Sequence, residues 1–117
     1  MIENVKPIKL LVSIVNRGKG EKVEVLLQEL GITYQFICLG YGTANSELLD
    51  YLGLGEIDKD IVMSVVENDK IQAAFEVLNE KLHFSKHGNG IAFTIPINSV
   101  GGPITLKVLT GQLRKEL

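Results

Sequence analysis

The stretch FICLGYGTANSELLDYLGLGEIDKDIVMSVV (Phe36–Val66) opens and closes as a β-strand, and the piece between carries four glycines and several acids. Its two ends are rich in β-branched and aromatic residues, which suit a pleated, half-buried surface. From Gly42 to Lys59 the connection is longer than a compact domain ordinarily uses, and connections of that length are functional arms or disordered segments. Within it, Asn45 or Ser46 offers an N-cap and Gly53 a stop, so NSELLDYLG can form a short helix on its own or on docking.

Upstream of this stretch, IKLLVSIV (Ile8–Val15) reads as a buried strand ending at NRGKG, whose glycines break regular structure. From Lys19 the residues Val23, Leu26, Leu27 and Leu30 fall at helical spacing, and Gly31 stands where a C-terminal glycine belongs. TYQFICLG (Thr33–Gly40) is the second strand. Downstream, KDIVMSVV (Lys59–Val66) is the third, followed by Asn68 or Asp69 as N-cap of a helix with the stripe Ile71, Ala74, Phe75, Leu78 and Leu82. The turn KHGNG leads into IAFTIPI (Ile91–Ile97), a fourth strand whose Pro96 suits an edge or a terminus. ITLKVL in the tail is one more strand candidate.

The order strand, helix, strand, strand, helix, strand predicts an α+β fold, the ferredoxin-like βαββαβ sandwich, as a single domain over 1–117. Two helices with one apolar face each cover one side of a four-stranded antiparallel sheet. The other side is expected to present Leu10, Val12, Phe36, Cys38, Val62, Ser64, Phe93 and Ile95, too apolar a set for water. That predicts packing against other subunits in a closed oligomer.

Composition narrows the function classes. With 45% hydrophobic residues the chain is globular, and no apolar run approaches the roughly 18 residues that cross a bilayer, so no membrane insertion is expected. The start MIENVKPIKLL lacks a secretory pattern, which points to the cytoplasm. A net charge of −2, with basic residues scattered among acids, gives no electrostatic case for nucleic acid. The single cysteine, Cys38, reads as a buried thiol.

In strand order and in its glycine turns the chain resembles the PII signal-transduction proteins, trimeric regulators of nitrogen metabolism. The resemblance covers roughly residues 8–103. In that family a glycine-aromatic-glycine turn opens a long flexible loop, the T-loop, and here Gly40, Tyr41 and Gly42 stand at that place. A second family turn, the B-loop, ends in glycine-acid-glycine; here it is Gly88, Asn89 and Gly90. The resemblance implies a homotrimeric, non-enzymatic regulator. It implies an effector held in clefts between subunits by Gly40, Tyr41, Gly42 and Thr43 of one chain and Gly88, Asn89 and Gly90 of its neighbour. An adenine nucleotide, ATP, ADP or AMP, is the implied effector. A protein target, a transporter or metabolic enzyme, would be contacted through Glu47, Leu48, Asp50, Tyr51 and Leu54. The leucines of that loop, Leu49 and Leu52 among them, either dock the target or pack back on their own trimer.

The departures matter as much. Thr43 and Ala44 stand where nucleotide-binding members continue into arginine and glutamine, the B-loop lysine falls on Ile91, and the paired C-terminal arginines have no counterpart. A nucleotide bound in the usual way would lose charge-assisted contacts each worth about 1.5 to 3 kcal/mol. The family's modified tyrosine falls on Glu56, so uridylylation does not carry over to Tyr51. A different anion site is conceivable at NRGKGEK, where Arg17, Lys19 and the first helical amides converge. The alternative function is a ferredoxin-like trimer with a metal-tolerance or enzymatic role. His83 and His87 would serve it, yet no third ligand has metal-like spacing and no nucleophile-base pattern appears.

Overall fold

A computed structural model describes residues 7–42, 58–86 and 89–102. Strand β1 (Ile8–Asn16) leads to helix α1 (Gly20–Gln28), then β2 (Gln35–Tyr41), β3 (Asp58–Glu67), a 3₁₀ turn (Asn68–Lys70), α2 (Ile71–Leu82) and β4 (Ile91–Pro96). The sheet order is β2-β3-β1-β4, with every neighbouring pair antiparallel. This is the ferredoxin-like arrangement that the element order predicts. The strand candidate ITLKVL and the helix candidate at NSELLDYLG lie outside the described residues.

Helix α1 stops where its glycine dictates. Gly31 adopts φ +84, the Ile32 N–H reaches back to the Leu27 carbonyl at 3.2 Å, and the Gly31 N–H reaches the Gln28 carbonyl at 2.9 Å. These are the two bonds of a Schellman motif, and Ile32 is buried beside them. Helix α2 ends on His83, at φ 56 and ψ 46, whose N–H bonds to the Asn79 carbonyl. Its start differs from expectation. Asn68 and Asp69 form the 3₁₀ turn, and the N-cap position falls on Lys70 with no side-chain cap bond.

The core lies between the helices and one face of the sheet: Leu11, Val15, Val62 and Val66 meet Val23, Leu27, Ala74 and Leu78. Phe75 leaves the expected α2 stripe and is 37% exposed, while Val77 packs against the core. Register also corrects the phase of β3. Leu11 pairs with Ser64 and Ser13 with Val62, which puts Val62 and Ser64 on the helix-covered face. Ser64 tolerates burial there because its hydroxyl donates to Gln35 Oε1 at 2.9 Å. The Gln35 amide in turn donates to the Glu24 and Ile32 carbonyls. A buried polar group so satisfied carries little penalty.

The second face bears Leu10, Val12, Phe36, Cys38, Phe93 and Ile95 as expected, with Ile61, Met63 and Val65 from β3 in place of Val62 and Ser64. No described helix covers it. Among the described residues no helix is long and apolar enough to cross a membrane.

Candidate functional site

Antiparallel pairing brings both glycine turns to one end of the sheet. Tyr41 pairs with Asp58, Asn16 with Lys59 and Ile91 with Ile14, so β1 ends, β2 ends, β3 begins and β4 begins at that same end. The turns nevertheless stand on opposite edge strands with β3 and β1 between them. Three inter-strand spacings separate them, about 14 Å. Of the residues expected to hold a ligand, Gly40, Tyr41, Gly42, Asn89 and Gly90 are described at this end. Thr43 and Gly88 lie outside the described residues, as do Glu47, Leu48, Asp50, Tyr51 and Leu54 of the expected partner loop.

The two turns are built differently. A Cβ on Gly40 would meet Ile61 Cδ1 at 2.7 Å, so β3 side chains lie across the end of β2. Tyr41 is 70% exposed just beyond. Gly90 is buried at φ +142, and a Cβ there would meet Phe84 Cζ and Val15 Cγ1 at 3.0 Å and the Ile14 carbonyl at 3.1 Å. The glycine is therefore required by packing inside the chain. Asn89 donates from Nδ2 to the His83 carbonyl at 3.1 Å, tying the turn to the end of α2. His83 is thereby a helix-terminating residue with its backbone engaged on both sides.

Two charged residues that sequence reading passed over dominate the other turn. Lys59 is 4% exposed and Asp60 6%. Being neighbours on β3, they face opposite sides of the sheet. Lys59 lies on the face that no described helix covers, opposite Gly40 in one pairing and Asn16 in the other, and its ammonium donates to Asn16 Oδ1 at 2.7 Å. Asp60 lies on the helix side, where Oδ2 accepts the N–H groups of Gly18 and Gly20 at 2.9 and 3.0 Å and Oδ1 lies 3.2 Å from Arg17 Nε. Gly20 suits this approach, since a Cβ there would lie 3.0 Å from Asp60 and the carboxylate would have to give way by a few tenths of an ångström. The helix start at NRGKGEK thus holds an anion, but it is the chain's own carboxylate, which satisfies amides otherwise left without partners. The helix start that the sequence offered as a candidate anion site is accordingly filled from within.

A separate open groove of about 460 Å³ lies between the helices, lined by Glu21, Lys22, Val25, Leu26, Lys81 and Leu82, and includes neither glycine turn. Among the described residues no three His, Cys, Asp or Glu side chains come together as a metal would need.

No protein-family model and no curated protein matches the chain. Solved structures do. CPII from Thiomonas intermedia K12, bound to ADP, AMP and acetate, superposes with a TM-score of 0.65 at 21% identity, over 86% of this chain and 94% of that one. The same protein, described as a nitrogen regulatory PII-like protein and bound to ADP, AMP and bicarbonate, gives 0.62 at 22% identity over 83% and 96%. A putative PII-like signaling protein from Thermus thermophilus gives 0.59 at 15% identity over 79% and 87%. With the strand order and the paired turns already in place, these likenesses show that the chain has the fold of the PII-like proteins.

Proposed function

We propose that this protein is a non-catalytic PII-like regulator. In this reading it assembles as a closed trimer through the sheet face that no described helix covers, binds an adenine nucleotide or a small anion in the clefts between subunits, and acts on a protein target through residues 43–57. The observation that carries the reading is the setting of Lys59. It is a buried cation on the sheet face that no described helix covers, level with Gly40, at the sheet end where both glycine turns lie. A turn on each edge strand, about 14 Å apart in one chain, favours a ligand shared between neighbouring copies. The fold likeness to a protein bound to ADP and AMP supports the same ligand class.

The ligand preference follows from charge. Family phosphate contacts are missing at Thr43, Ala44 and Ile91. Lys59, already bonded to Asn16 Oδ1, leaves at most part of one cation to a ligand, which favours a monophosphate, a diphosphate or a carboxylate-sized anion over a triphosphate. Calorimetric titration with AMP, ADP, ATP, acetate and bicarbonate checks this, on the native chain and on Lys59→Met, which keeps length and packing while removing the charge. AMP or ADP is expected to bind more tightly than ATP, and binding should fall about tenfold or more in the variant. Failure of every ligand to bind the native protein would sink the effector part of the reading.

A further inference from the structure

The strand residues that flank positions 43–57 in the chain, at the end of β2 and the start of β3, meet at one residue, Arg17. Its backbone N–H donates to the Asp58 carbonyl at 3.3 Å, at the first residue of β3. Its Nε donates to the Lys59 carbonyl at 3.2 Å, and its Nη2 to the Gly40 carbonyl at 3.0 Å, where the chain departs. Asp60 holds the guanidinium in this pose with Oδ1 while Oδ2 is bonded to the Gly18 amide of the turn and the Gly20 amide that starts α1. Three carbonyls on two strands are thus gripped from the β1–α1 turn.

Strand pairing alone would hold this mouth weakly. Gly40 pairs with Lys59, but β2 is an edge strand and its glycine offers no side chain to pack. Strand ends of that kind open most readily. A planar guanidinium presents donors in several directions and so can serve carbonyls of two strands at once, which an ammonium on a flexible stem does poorly.

We propose that Arg17 is a positioning residue that clamps the mouth of the 43–57 segment, with Asp60 as the strut that aims it. Because the strut also holds the start of α1, a displacement at that helix end reaches the mouth, and the reverse. The clamp rests on contacts within one chain and needs no effector.

Amide hydrogen exchange followed by NMR on the full-length protein tests it, without nucleotide, so that a protein binding no effector tests the clamp equally well. In Arg17→Met, exchange at residues 39–42 and 58–59 is expected to accelerate about tenfold or more, what losing even one of its two charge-assisted hydrogen bonds would give, while Leu11, Val62 and Val66 keep their rates. Arg17→Lys should recover little of the protection. Asp60→Asn, which keeps an oxygen for the Gly18 and Gly20 amides, should open the mouth as Arg17→Met does and add nothing to it in the double variant. Unchanged exchange at the mouth in Arg17→Met would overturn the proposal. So would equal acceleration in the central strands, which would mean ordinary loss of stability, and full protection by lysine would overturn the two-strand grip.

Discussion

Gly90 illustrates how one residue carries two readings. In the sequence it closes a turn that resembles a ligand loop; in the fold its α-carbon faces Phe84, Val15 and the Ile14 carbonyl at φ +142. A side chain there meets backbone, which cannot step aside as a flexible side-chain tip can. Gly90→Ala is therefore expected to lower unfolding stability by about 1 to 3 kcal/mol, read as a shift in denaturant midpoint at unchanged slope. An unshifted midpoint would show that the turn has room. Loss of ligand binding in any Gly90 variant would speak of packing before it spoke of a cleft, which is why Lys59 is the better probe.

At the scale of elements, Ser13 is the anomaly of β1. It sits fully buried on the helix-covered face, paired with Val62 and Ala92, and its hydroxyl has no hydrogen-bond partner among the described residues. The contrast with Ser64, satisfied by Gln35, is direct. An unpaired buried hydroxyl costs about 1 to 3 kcal/mol, and alanine removes it while leaving only a small void, so Ser13→Ala should be neutral or raise stability by about 1 kcal/mol. A loss of more than that in a chemical denaturation curve would reveal a partner for the hydroxyl. The same elements show what sequence carries and what it hides. Element order and the Gly31 stop were legible because helical spacing and a C-terminal glycine are local signals. The facing of β3 was not. Ile61 to Val66 is apolar or small throughout, so alternation there has no phase, and only pairing with β1 sets it. Arg17 was legible as a cation at a helix start, but its pairing with Asp60 was not: the two are 43 positions apart in the chain, and no spacing rule joins a turn to a strand across that distance.

For the whole molecule, the decisive feature is the sheet face that no described helix covers. It presents Leu10, Phe36, Met63, Phe93 and Ile95 in one layer across all four strands. A continuous apolar surface of this kind marks an interface, and identical chains usually bury such surfaces in closed symmetric assemblies, of which the proposed trimer is one. Ile95 separates an assembled from a solitary chain because it is 46% exposed within one protomer. In a lone chain Ile95→Glu places a carboxylate at a site already open to water on an edge strand and should scarcely alter the fold. Inside an assembly the same carboxylate would be desolvated without a partner, a cost of several kcal/mol repeated in every subunit. Light scattering after size exclusion should then give the mass of three chains for the native protein and of one chain for Ile95→Glu, with circular dichroism unchanged. A native protein with the mass of one chain would remove the inter-subunit cleft and with it the proposed effector site, while the Arg17 clamp, made wholly within one chain, would stand.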